Sequence, residues 1–388
     1  MSKFLKRLPA KLWMIVCAAI TLAFFANDFG LVDLQETALV LAAGIDRDGE
    51  EFSLTAQIAV PKGTDRTTGG TSSVEIEGRG ATIPECLSDI YARTGWVPKL
   101  VFCDLLVLGE TATRGDVFDC LDYFLRNEYI PDACLLAACA GSAKELISSA
   151  SAIDDTSALA LLNLFSEAAQ KSGQVVPCTL REFAIGYFGE SRSGYMPYVR
   201  AQAQEGSEQN AGGQGAAQNA EQGQQAQKVY SARETALFSG GALTGVLTPE
   251  ETFAFSLLLE KVYAGAVTAD DKTYVILKNK GGAELVKGGV PGLALRVECK
   301  VQIAGEHKSV PPDELAAGEL SEEEEVRLSQ TLEEHIRSLW QACSEADCDL
   351  FFFRRSLRRA SRELFAKWKE LPLSELDVRV HARAKSLR

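Results

Sequence analysis

The chain opens on an unbroken apolar run, Leu12 to Ala26. Lys3, Lys6, Arg7 and Lys11 precede it, and Asp28 and Asp33 follow. Basic flanks stay on the cytoplasmic side of a membrane, so the pattern predicts an N-terminal anchor over 1–32 with the body outside the cytoplasm. The run is short against the roughly 20 apolar residues of a spanning helix unless Phe29 to Val32 extend it. It makes a poor signal peptide, because cleavage after Ala26 would place Phe24 where a small residue belongs. Cys17 follows Val16 in mid-run, which does not suit lipidation. An uncleaved single anchor is the expectation.

From Thr37 the rhythm changes. TALVLAAGID is a near-continuous apolar strand closed by an acidic turn, Asp46-Arg47-Asp48-Gly49. Phe52, Leu54, Ala56, Ile58 and Val60 then alternate, which predicts a half-buried strand ended by Pro61. Gly63 to Ser73 predicts a mobile loop, and Val74 to Gly80 a third strand. Thr82 and Pro84 open a helix whose apolar positions are Leu87, Ile90 and Tyr91. Strands are expected at Leu100–Leu108 and Ala133–Ala140. Helices are expected at Val117–Phe124, Ala143–Ala150 and Ser157–Ser172. Tyr195–Ala201 and Glu234–Phe238 read as two strands of a hairpin. Between them, 202–228 is rich in Gln, Gly, Ala and Asn with no large apolar side chain, so it is expected to be a disordered insertion in the hairpin, the alternative being an interdomain linker.

Gly240-Gly241 predicts a tight turn, and Thr248 with Pro249 and Glu251 a capped helix. Strands are expected at Thr273–Leu277 and Leu293–Ile303. Ser321 with Glu324 starts a long helix to Cys343, Asp349 starts another to Lys369, and Val378–Ala384 alternates as a last strand. Strands and helices mix without a regular βαβ rhythm, which predicts an α+β ectodomain of mixed β-sheets flanked by helices. The expected divisions are an N-terminal α+β domain over 33–190, a middle region over 191–262 and a C-terminal α+β domain over 263–388.

Charge narrows the function classes. The 388 residues carry a net charge of -13, which would repel nucleic acid. Only three histidines occur, His307, His335 and His381, which leaves little material for histidine chemistry. The ten cysteines show no repeating spacing and mostly lie in apolar runs, as small buried hydrophobes do. No phosphate-cradling glycine motif is present, and GGALTG reads as a turn. His335, Cys343 and Cys348 match no metal-ligand spacing. Asp46, Asp48 and Gly49 lack the ligand series of a calcium loop. No catalytic residues, cofactor or metal site are expected, and the protein is not expected to be an enzyme.

One local feature departs from the acidic background. Leu350, Phe353, Leu357, Ala360, Leu364 and Trp368 form one face of the expected helix after Asp349. Arg354, Arg355, Arg358, Arg359 and Arg362 crowd elsewhere on it. They are the candidate surface for a partner or for lipid phosphates. The plainer alternative pairs these arginines with Glu322–Glu325.

Taken in order, several segments resemble the C subunit of spore nutrient-germinant receptors, the Ger(x)C family. They are GID-RDG with LTAQIAVP (Gly44 to Pro61), EGRGATIPECLSDI, LLVLGE, FLRNEYIPDACLLAACAGSAKELI with Arg126, ALFSGGALTGVLTPEET, and the tail CDLFFFRRSLRRASRELFAKWKEL with ELDVRVHARA. The resemblance covers 33–385. It implies a three-domain α+β ectodomain without enzymatic activity, working with two integral-membrane partner subunits in the inner membrane of the spore. Many members carry a lipoprotein Cys that this chain lacks, and many have a His where Cys103 stands. The expected function is that of a membrane-anchored, extracytoplasmic germinant-receptor subunit in nutrient-triggered germination. The alternative is an extracytoplasmic solute-binding protein, which needs a cleft with convergent polar groups.

Overall fold

The computed structural model of the protein describes residues 10–26, 37–60, 72–127, 130–149, 151, 154, 156–203, 228–270, 272–286, 290–306 and 320–387. The apolar run forms helix α1 (Ala10–Ala26). Every side chain from Trp13 to Thr21 is exposed. Among the described residues no helix is long and apolar enough to cross a membrane. The 17 residues of α1 reach about 26 Å, against a hydrocarbon core of about 30 Å.

The body begins with β1 (Thr37–Asp48), β2 (Glu51–Val60), β3 (Ser72–Gly80), α2 (Ile83–Thr94), β4 (Val97–Lys99), a 3-10 turn at Leu100–Phe102 and β5 (Leu105–Leu108). There follow α3 (Glu110–Thr113), α4 (Phe118–Arg126), β6 (Leu135–Cys139), α5 (Ala143–Ile147), α6 (Ser157–Leu164), α7 (Glu167–Lys171), β7 (Cys178–Thr179) and α8 (Leu180–Tyr187). Then come β8 (Ser193–Ala203), β9 (Lys228–Ser239) and β10 (Ala242–Leu247). These ten strands make one sheet in the order β10-β9-β8-β6-β5-β1-β2-β3, with β4 on β1 and β7 on β6. Its middle strands β1, β5, β6 and β8 are parallel, and antiparallel pairs flank them.

The parallel centre explains the continuous apolar runs. Leu106, Leu108, Leu136 and Ala138 face one core, beneath α2, α4 and α8. Leu105, Val107, Ala137 and Cys139 face the other, beneath α5 and α6. A strand buried on both faces has no polar alternation.

The remaining elements are α9 (Pro249–Leu258), β11 (Gly265–Ala269), β12 (Lys272–Val286), β13 (Gly292–Glu306), α10 (Glu322–Glu345), α11 (Phe353–Ala360), α12 (Arg362–Trp368) and β14 (Asp377–Ser386). Their strands form a four-stranded sheet, β11-β12-β13-β14. α10 buries Leu328, Leu332, Ile336, Leu339 and Cys343 against it, a run of i, i+4 and i+3 positions. The resulting core also takes in Leu237 and Leu247 of the large sheet, and Tyr195 packs against both cores. The fold is α+β, with two sheets flanked by helices.

Several expected elements differ from those observed. The strand expected over Leu100–Leu108 begins at Leu105, because the Cys103 amide bonds Leu100 O and the chain rejoins the sheet through Asp104 N to Leu41 O at 3.1 Å. The helix expected over Ser157–Ser172 breaks after Leu164, where the Ser166 side chain caps α7 through the Ala169 amide. The helix expected over Asp349–Lys369 breaks at Ser361, whose φ of -164° is not helical. Its hydroxyl accepts from the Glu363 and Leu364 amides. α2 buries Ile83, Cys86 and Ile90, and leaves Tyr91 half-exposed to solvent. Ser72 and Ser73 belong to β3, and the rest of the expected Gly63–Ser73 loop lies outside the described residues. Of the expected insertion 202–228, Gln202 and Ala203 end β8 and Lys228 starts β9, pairing Ala203 with Lys228. Residues 204–227 lie outside the described residues.

Candidate functional site

The five candidate arginines do not act alike. The segment before α11 plugs into the large sheet. The Cys348 thiol lies 3.5 Å from Gly194 O and 3.4 Å from Phe238 O. Asp349, 1% exposed, holds the first amides of α11, whose N-cap residue is Phe352. Its carboxylate accepts from the Phe353 amide at 2.8 Å, the Arg354 amide at 3.0 Å and the Ser191 hydroxyl. The Asp349 amide donates to Ser193 Oγ at 3.0 Å.

This docking sets where each guanidinium goes. Arg354 is largely buried, and its Nε donates to Lys369 O at 3.1 Å. Arg355 lies over the Phe352 ring, 5.8 Å from its centroid. Arg358 pairs with Glu190. The Glu190 backbone amide first, and then Arg358 and Arg355, hold the Glu190 carboxyl below its usual range. Arg359 and Arg362 are exposed and make no ion pair among the described residues. The pairing with Glu322–Glu325 does not occur among the described residues. Glu324 takes Lys272 at 2.8 Å, Glu323 lies 3.8 Å from Arg327, and Glu325 accepts from the Ser386 amide.

Exposed apolar side chains lie just ahead of α11 and on α8. Phe352 lines a small cleft with Glu182 and Gly186 of α8. The outer side of that helix leaves Ile185 49% and Phe188 70% exposed. Aromatic side chains among arginines are the composition of protein–protein contact surfaces. Sequence reasoning missed Ile185 and Phe188. The available signal was an apolar pair at i, i+3 opposite the buried stripe of Leu180, Phe183 and Tyr187.

A second concave region lies at the far end of the β1–β2 hairpin. It is a cleft of about 440 Å³ lined by Asp46, Arg47, Glu77, Arg79, Arg114 and Lys144, among others. Its convergent charges are engaged with one another. Lys144 meets Glu77 at 2.6 Å, Arg79 meets Glu77 at 2.9 Å, Arg114 meets Glu110 at 2.8 Å and Arg47 meets Asp119 at 2.9 Å. Asp46 accepts from Ser142 Oγ and the Ala143 and Lys144 amides, so its oxygens hold α5 and are not free for a cation. Most of the charges lining the cleft are held in internal pairs, with Asp48 and Glu51 beside them.

The Lys144 ammonium, with Ser53 and Arg79 behind it, holds the Glu77 carboxyl at about 2, against an ordinary 4.5. A depressed folded value stabilises the protein above the ordinary value. That contribution, about 2 kcal/mol after allowance for partly exposed partners, is lost as pH falls from 4.5 toward 2. Glu77→Gln should therefore lower stability at neutral pH and flatten its dependence over that window. Denaturant melts at several pH values measure this, and an unchanged slope would exclude the account.

No metal-binding group of three or more His, Cys, Asp or Glu occurs among the described residues. His335 sits two turns before Cys343 on α10, and its Nδ1 is buried without a hydrogen-bond partner. Burial pulls its imidazole below the usual value. All ten cysteines are free thiols, nine of them buried. Burial pushes Cys120 and Cys348 up to about 12.

Residues 31–201 match the model of the spore germination protein N-terminal domain. Residues 233–387 match that of the spore germination B3/GerAC-like C-terminal domain. The chain belongs to the Ger(x)C family. As a Ger(x)C protein it is a member of the germinant-receptor C-subunit family, which is not known as a family of enzymes. The structure also resembles one titled "Crystal Structure of the GerBC protein", at 17% identity and a TM-score of 0.49, over 89% of this chain and 97% of that chain. No curated protein matches the Ger(x)C chain described here.

Proposed function

We propose that the protein is the membrane-anchored, extracytoplasmic subunit of a spore germinant receptor. It acts by assembling with two integral-membrane partner subunits at the inner membrane of the spore, in nutrient-triggered germination. The observation that supports this reading is that Arg359 and Arg362 are exposed, with Arg355 over the ring of Phe352, on a chain of net charge -13. A partner with an acidic, apolar face is its complement. Anchoring is supported by α1, an apolar helix whose described side chains are all exposed. Its shortfall against the bilayer is small enough for local thinning to absorb.

Reversing Arg355 and Arg359 to Glu tests the assembly. Co-purification with the membrane subunits should weaken about tenfold, and raised salt should weaken the native complex in the same direction. Folding should be spared, since charges at the surface contribute about 0 to 1 kcal/mol each. Undiminished co-purification of the double variant would refute the interface.

A further inference from the structure

From the segment Tyr91–Phe102 we infer a second membrane contact, a lipid-docking face on the body itself. It rests on the proposal that α1 is seated in a bilayer, and names which side of the body meets that bilayer.

Four large apolar side chains lie close together in sequence here and are all exposed. Tyr91 is 51% exposed, Trp96 43%, Val101 45% and Phe102 53%. The backbone beneath them is fixed. Gly95, at φ 72°, ends α2 through its amide to Tyr91 O, and the Trp96 amide donates to Thr94 Oγ1 at 3.1 Å. β4 then pairs with the first residues of β1, Thr37 with Val97 and Leu39 with Lys99. The 3-10 turn that carries Val101 and Phe102 is closed by the Cys103 amide on Leu100 O. Large apolar side chains left exposed on a fixed backbone mark an interaction surface.

Its place in the chain points to lipid. Only ten residues, 27–36, separate α1 from Thr37. Fully extended, they span at most about 35 Å. Trp96 precedes Val97, the partner of Thr37, so it stands within roughly 10 Å of the point where that tether meets the body. With α1 in the bilayer, the tether keeps this end of the large sheet within about 35 Å of the membrane surface. The composition fits. Tyr91–Phe102 carries Lys99 and Arg93, the latter paired with Asp89 at 3.2 Å, and no acidic residue of its own, in a chain of net charge -13. Lys99 makes no ion pair among the described residues. Tyr and Trp sit at headgroup level, with apolar rings toward the acyl chains and polar atoms toward water. A lysine beside them favours anionic headgroups.

The test uses the full chain in vesicles of phosphatidylethanolamine and phosphatidylglycerol, with acyl chains brominated near the headgroup. W13F removes the tryptophan of α1. In that background, brominated lipid should quench tryptophan emission, and adding W96F should abolish the bromine-dependent loss. Flotation with the vesicles reads anchoring separately. A protein that floats but shows the same quenching with and without Trp96 overturns the docking face and leaves the anchor standing. A protein that does not float overturns the anchor and the docking face together. Quenching that is absent in lipid alone, with Trp96 shielded only when the membrane subunits are present, would assign the face to protein and overturn the lipid contact.

Discussion

Asp349→Ala should destabilise the protein by about 3 kcal/mol or more. The side chain is 1% exposed and accepts from two amides and one hydroxyl. Alanine would leave the Phe353 and Arg354 amides at the start of α11 without acceptors. Ser191 would lose its acceptor as well. Unmet buried donors cost more than an average hydrogen bond contributes. The loss falls at the joint between the two sheets, so α11 should loosen first. Asn at 349 keeps the size and one acceptor oxygen, and should cost less. Denaturant melts of both variants measure this. An alanine variant as stable as the native protein would show that the α11 start is satisfied some other way.

Gly78→Ala should be as severe, by a different mechanism. A Cβ at this position of β3 would lie 2.1 Å from Cys86 O and 2.7 Å from Ile90 Cγ1 on α2. The first atom is helix backbone and cannot swing aside, so strand and helix would have to separate. Overpacking of this kind costs about 3 kcal/mol. Gly49 is the contrast. Its φ is +61° and nothing lies within 4 Å of its Cβ direction, so alanine there should cost only about 1 kcal/mol of backbone strain. Thermal melts of the two variants side by side separate close packing from conformation. Equal shifts would remove the case for a tight β3–α2 contact.

The local signals in this chain were readable where a side chain reports on its own neighbourhood. The Thr82 cap, the capping boxes at Thr248–Glu251 and Ser321–Glu324, and the Gly240-Gly241 turn all appear as the residues dictate. A further capping box, Thr179 with Glu182, carries the same signature and opens α8. What periodicity does not carry is adjacency. Nothing in Leu105–Leu108 says that β5 lies between β1 and β6. The breaks at Ser166 and Ser361 escaped because a serine in an amphipathic run fits either a helix interior or a cap, and tertiary packing decides. The candidate surface shows the same limit. Five arginines were plain in the sequence, but the partners that divide them are distant in the chain. Glu190 and Arg358 are 168 residues apart. Arg354 proved a packing residue, whereas Arg359 and Arg362 stayed at the surface.

The position of β1 has a mechanical consequence. It is the first strand of the body, yet it lies inside the large sheet, bonded to β2 along one side and to β4 and β5 along the other. A pull on the chain ahead of Thr37 therefore runs along the axis of an interior strand. It loads ladders on both sides in shear, and many bonds must slip together before any one strand leaves. An edge strand in the same position would peel away bond by bond. Tension arriving from the N-terminal side is thus borne first by the middle of the sheet, by β1 and the strands bonded to it.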